Sequence, residues 1–166
     1  MCGLGDNGAM DTLELSGRRF TLHRAVAGDL PELVALLADD VLGRERESDD
    51  LAPYEQALAL IDRDPNQLLL AVRDEEGAMA ATMQLTLMPS LSRGGAMRLQ
   101  IEAVRVAGSA RGGGLGTALF TWAHDWGRAQ GATLAQLTTD ASRTDAQRFY
   151  ERLGYVPSHV GCKLPL

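Results

Sequence analysis

The stretch with the most chemical content runs Val104-Arg105-Val106-Ala107-Gly108-Ser109-Ala110-Arg111-Gly112-Gly113-Gly114-Leu115-Gly116-Thr117. A strand-like run enters it and a long amphipathic run leaves it, so the glycines stand where a strand turns into a helix. The first turn of a helix has N–H groups without internal partners, and the helix dipole adds positive potential there. Glycines let the backbone approach an anion closely, so a diphosphate fits this place. The expected cradle is Arg111, Gly112, Gly113, Gly114, Leu115, Gly116 and Thr117.

Two common phosphate motifs fail here. A P-loop needs a lysine after its last glycine, and the only lysine of the chain is Lys163. The dinucleotide fingerprint G-x-G-x-x-G fails from Gly112, which reaches Thr117, and from Gly114, which reaches Leu119. The pattern that fits is R-x-x-G-x-G, on Arg111, Gly114 and Gly116.

A second motif lies downstream. Residues 146–155 read Ala-Gln-Arg-Phe-Tyr-Glu-Arg-Leu-Gly-Tyr. With R-x-x-G-x-G about 35 residues earlier and a strand between, the pair resembles the two signatures of the GNAT superfamily of N-acetyltransferases, with Tyr155 where Phe is usual. The runs 39–47, 91–95, 100–106 and 158–164 resemble a narrower group of small bacterial GNAT proteins whose acceptors are mostly unassigned.

The resemblance implies the GNAT fold and transfer of acetyl from acetyl-CoA to a primary amine of a small molecule by direct attack. It implies that backbone at Val104, Arg105 and Val106 holds the pantetheine arm, that Tyr150 is the general acid toward the CoA sulfur, and that Glu102 is the base. An amine with pKa about 10.4 is neutral in only roughly one molecule in 2,500 at pH 7, so a base has work to do. For each residue a structural alternative stands open. Glu102 would share a face with Val104 if no bulge intervenes, or be a structural acid, hydrogen-bonded inside the sheet or paired with Arg98 or Arg105. Tyr150 belongs to the apolar stripe Ala146, Phe149, Tyr150, Leu153. Arg143 occupies the position where many GNAT proteins have Asn; it is read either as a CoA phosphate partner or as a surface charge. Three other readings compete: a protein N-terminal or lysine acetyltransferase, a non-catalytic acyl-CoA-binding module, and a dimeric structural partner with a vestigial motif.

Positioning these groups requires one mixed α/β domain. The 166 residues, 45% hydrophobic and 23% charged, suit a single core. Residues 1–18 are read as a flexible N-terminal tail and residues 19–166 as the acetyltransferase domain. The periodicities predict β-α-α-β-β-β-α-β-α-β. The expected sheet is mixed, mostly antiparallel and six- to seven-stranded, with about four helices. Strands are expected at 20–26, 67–73, 77–88, 97–106, 134–139 and 160–164. Asp29 with Glu32 reads as a capping box. Leu115, Ala118, Leu119, Trp122, Ala123 and Trp126 share the face of the longest helix, which favours packing roles for both tryptophans.

The net charge of −6 argues against nucleic acid. No apolar run is long enough for a membrane span, and the first residues do not read as an export signal. Two cysteines, Cys2 and Cys162, suggest a reducing cytoplasm without a disulfide framework, and Cys162 has no neighbouring base to make it a nucleophile. His23, His124 and His159 lack ligand spacing, so no metal site is expected. Residues 39–55 hold seven acids and two arginines, read either as an attractor for a cationic acceptor or as a solvated loop. A homodimer is expected by analogy alone.

Overall fold

The computed structural model of the chain describes residues 8–39 and 41–165; Cys2 and Asp40 lie outside the described residues. The strands are β1 (Asp11–Leu15), β2 (Arg18–Arg24), β3 (Gln67–Asp74), β4 (Met79–Pro89), β5 (Met97–Val106) and β6 (Ala132–Leu137). The helices are α1 (Leu30–Ala38), α2 (Val41–Arg44), α3 (Ala52–Arg63), α4 (Ser92–Gly95), α5 (Leu115–Ala129) and α6 (Thr144–Arg152), of which α2 and α4 are single turns. The six strands lie in sequence order. Neighbours from β1 to β5 are antiparallel, and β5 pairs parallel with β6. This is the mixed, mostly antiparallel sheet expected.

Helices cover both faces of the sheet, and the sequence shows why. The run Leu68-Leu69-Leu70-Ala71-Val72 is apolar without alternation, as a strand covered on two sides requires. Leu68, Leu70 and Val72 join the larger core with Leu115, Leu119, Phe120 and Ala123 of α5. Ala71 and half-buried Leu69 join Leu33 and Leu36 of α1 in the smaller core. The buried stripe of α5 is Leu115, Leu119, Phe120, Ala123 and Gly127. It is rotated from the expected one, since Phe120 is fully buried while Ala118, Trp122 and Trp126 are half-buried. The rotation has two causes. Gly127 lets Leu99 approach so closely that a Cβ there would meet Leu99 Cδ2 at 2.8 Å, and the Trp122 indole reaches the rim to donate to Asp11 at 2.8 Å.

Three expectations are corrected. Asp11–Leu15, assigned to the flexible tail, form β1 on the edge of β2; Ser16 and Gly17, both at positive φ, turn the hairpin. Asp29 is not a helix cap for Glu32. Its buried carboxylate accepts from Val26 N–H at 2.9 Å and from Arg73 at 2.6 Å, and Glu32 accepts from Arg73 at 2.9 Å. The strand expected at 160–164 does not form. The segment from Val156 lies as irregular chain, with Val160 and Leu164 92% and 81% exposed. Alternating apolar residues make a strand only when a neighbouring edge accepts their backbone, and this segment pairs with none.

Candidate active site

The turn before α5 has the predicted geometry. Gly112 and Gly114 both sit at φ 83, a left-handed conformation costly for any residue with a Cβ, and Gly114 is the N-cap of α5. The first backbone bond of the helix runs from Ala118 N–H to the Gly114 carbonyl at 3.0 Å. Among the described residues, the amides from Gly112 to Thr117 have no partner within the protein. They form a run of donors at the positive end of a 15-residue helix. The Arg111 guanidinium is already engaged, donating to the Val106 carbonyl at 2.9 Å and to Asp39 at 3.1 Å, and so ties the turn to the end of α1.

Beside this turn the sheet opens. Pairing of β5 with β6 runs from Met97 to Ile101 and stops, leaving Glu102 to Val106 without a strand on that side. On the other side the β4–β5 register shifts: Thr82 faces Arg105, whereas Gln84 faces Glu102. Ala103 and Val104 therefore stand opposite Met83 alone. This is a β-bulge, with Ala103 at φ 51. Gly116 sits where the turn, β5 and α6 converge, its Cβ position 3.5 Å from Phe149 and 4.0 Å from Val106. A bulged strand, a parted sheet and a helix start lined with amides thus meet at one place.

The family model of the Acetyltransferase (GNAT) family matches residues 30–155. The chain belongs to this family. It is 33% identical over 141 residues to an aminoalkylphosphonate N-acetyltransferase of Salmonella typhimurium, covering 83% of this chain and 86% of that protein. Among solved structures, a Bacillus halodurans C-125 protein described as a transcriptional regulator matches with TM-score 0.83 and 41% identity, over 89% of this chain and 99% of the other. An acetyltransferase of Trypanosoma brucei matches with TM-score 0.72 and 26% identity, over 89% and 99%.

Within this GNAT chain a bulge does intervene, so Glu102 and Val104 do not share a face. The extra residue flips the alternation, so that Val104 and Val106 pack on the larger core while Glu102 points the other way, exposed and opposite Gln84. Among the described residues, no ion pair joins Glu102 to Arg98 or Arg105.

Tyr150 packs with Phe120 and Phe149 at centroid distances of 5.6 and 5.5 Å. Its hydroxyl has no partner among the described residues, although the ring is half-buried. Burial raises the phenol's pKa, opposed by the positive charges of Arg143 and Arg105. The phenol therefore keeps its proton at neutral pH and can donate it. Arg143 precedes α6 and lies close enough for Tyr150 to feel its charge. Glu102 and Tyr150 flank β5 from opposite faces.

Strand alternation contained a signal that motif reading passed over. Arg98, Gln100 and Glu102 alternate with buried Leu99 and Ile101 and share the exposed face. On that face Gln136 donates to Gln100 at 2.7 Å, Arg98 to Gln136 at 3.3 Å, and Gln84 to Gln67 at 2.9 Å. The acids of residues 39–55 are partly committed elsewhere: Asp39 to Arg111, Glu47 to the Tyr54 hydroxyl at 2.7 Å, and Asp50 to Ala52 N–H at 3.1 Å. His124 is paired with the Tyr155 hydroxyl at 2.7 Å, and burial, together with the charge of Arg128, lowers its pKa. Among the described residues, no group of three or more His, Cys, Asp and Glu could hold a metal ion. No described helix is long and apolar enough to cross a membrane.

Proposed function

We propose that this GNAT acetyltransferase moves an acetyl group from acetyl-CoA to the primary amine of a small molecule by direct attack. The parting of β5 from β6 beside the amides of Gly112–Thr117 carries this reading. In it, the amides grip the diphosphate, and the backbone of Val104–Val106, whose Val104 and Val106 carbonyls accept from Arg105 and Arg111 at 2.9 Å until the carrier enters, holds the pantetheine arm. Acetyl-CoA supplies the activated acyl group. Glu102, on the open face, takes the proton of the incoming ammonium directly or through water. The amine attacks the thioester carbonyl, and as the carbon–sulfur bond breaks the Tyr150 hydroxyl, on the opposite face, donates its proton to the departing sulfur, the second proton of the nitrogen leaving through solvent to restore the phenol. The positive charges of Arg105 and Arg143 make that donation less costly by favouring the phenolate. The Salmonella relative, named for acetylating an aminoalkylphosphonate, supports a small-molecule amine over a protein one.

The test combines calorimetry with acetyl-CoA and mass spectrometry of products from a set of small amines and lysine peptides. Binding of the carrier and acetylation of small amines alone is the expected result. Acetylation confined to the peptides, or no heat with saturating acetyl-CoA, would overturn the reading.

A further inference from the structure

We propose that the acceptor carries an anionic group as well as its amine, and that Arg98 is the residue that selects it. This rests on the acetyl-transfer reading above and names the substrate class for the same site.

The chain has a formal net charge of −6, yet among the described residues no Asp or Glu lines the groove of about 760 Å³ along the free edge of β6, which Arg98 lines and Glu102 does not. The groove presents Arg93, Arg98 and Arg128, with His124 and His159. Arg128 is neutralised by Asp125 at 2.7 Å. Arg98 is not: among the described residues its guanidinium has no carboxylate within 4.0 Å, and its one side-chain bond is the long contact to the Gln136 amide. Its Nε is buried and has no hydrogen-bond partner. A half-buried guanidinium without an acid is costly, because its donors lose water and gain no charged acceptor. A carboxylate, phosphonate or phosphate satisfies the planar fork, often through two bonds at once.

Arg98 also stands at a suitable distance from the chemistry. It is four residues before Glu102 on a strand whose register is regular between them, so the two lie on one face, about 13 Å apart along the backbone. Gln100 lies between them and is fixed by Gln136. The Arg98 guanidinium leans to Gln136, which stands beside Gln100, so its side chain covers part of this distance and a short molecule bridges from the guanidinium to Glu102, with its amine at Glu102. The acids of residues 39–55 point toward a cationic acceptor, but Asp39, Glu47 and Asp50 have protein partners.

Four probes test the inference: β-alanine, aminoethylphosphonate, propylamine and putrescine, each assayed with acetyl-CoA and the full chain. The expected kcat/KM is at least about tenfold higher for one of the two anionic amines than for propylamine or putrescine, the gap residing in KM. In Arg98→Met that preference falls toward unity. Gln136→Glu, which sets a carboxylate beside the guanidinium without shortening any side chain, lowers it in the same way. Equal or better use of propylamine or putrescine overturns the inference, as does a preference that both variants leave intact. Turnover of none of the four while acetyl-CoA still binds also overturns it. Absence of carrier binding instead removes the acetyl-transfer reading beneath it.

Discussion

At the scale of single residues, the proposed roles of Glu102 and Tyr150 put a base and an acid on two faces of one strand, and their variants should differ in pH behaviour. Glu102→Gln is expected to lower kcat/KM by about 10²-fold at neutral pH. The deficit should shrink as pH rises toward the amine's own pKa of about 10, where no base is needed; steady-state rates across pH would read this, and a deficit constant with pH would remove the base role. Tyr150→Phe should cost kcat about 10²-fold or more while the carrier's dissociation constant, read by calorimetry, stays within about twofold. Asp29 makes a stability prediction. Burial alone would raise its pKa, but hydrogen bonds from Arg73 and Val26 and the charge of His23 outweigh it and hold the carboxyl below its ordinary value. A depressed folded-state pKa contributes stability that is complete above the unfolded value of about 3.9 and is lost as pH falls through the folded value. Asp29→Asn should therefore lower stability at neutral pH by about 1–3 kcal/mol, since it removes one charged acceptor while Arg73 keeps Glu32 and the Gly77 carbonyl. It should also flatten the acid limb of a denaturant-midpoint curve against pH.

At the scale of elements, two glycines of α5 serve different ends. Gly114 caps the helix at φ 83 with open space around its Cβ position. Gly114→Ala should thus act through backbone strain alone, costing about 1–2 kcal/mol. It should also weaken carrier binding by turning the amides of the first turn. Gly127 is a packing glycine, its Cβ position 2.8 Å from Leu99 Cδ2. Gly127→Ala should cost about 1–3 kcal/mol through overpacking and spare the turn. The double variant with Leu99→Ala should show non-additive loss in urea titrations, because the methyl then has room; strict additivity would contradict this packing.

For the whole molecule, the proposed carrier site and acceptor face lie on opposite sides of β5, beside the bulge at Ala103 and the end of β6 at Leu137. Carrier binding should couple to global stability. At about 100 times its dissociation constant, acetyl-CoA should add about 2.7 kcal/mol, seen as a rise of roughly 5–10 °C in the thermal midpoint. The Gly114→Ala protein should show a smaller rise at the same carrier concentration.

Much of this was readable from the chain alone. Order and type of the long elements from β2 to α6 follow from apolar periodicity, because burying one face of a strand or helix imposes its repeat on the sequence. The glycine turn with its exposed amides was readable for a similarly local reason: glycine identities and the start of a helix suffice to expose amides, whatever lies elsewhere. What needed the tertiary structure was everything set by a partner distant in sequence. The bulge that turns Glu102 away from Val104 exists only as a mismatch between β4 and β5. β1 is a strand because β2 offers an edge, whereas residues 160–164, with the better apolar alternation, pair with none. Arg98 is an ordinary strand arginine in the sequence. Its lack of a carboxylate partner emerges only when β4, β5 and β6 lie side by side, since hydrogen-bond satisfaction belongs to neighbours in space and leaves no local imprint on the chain.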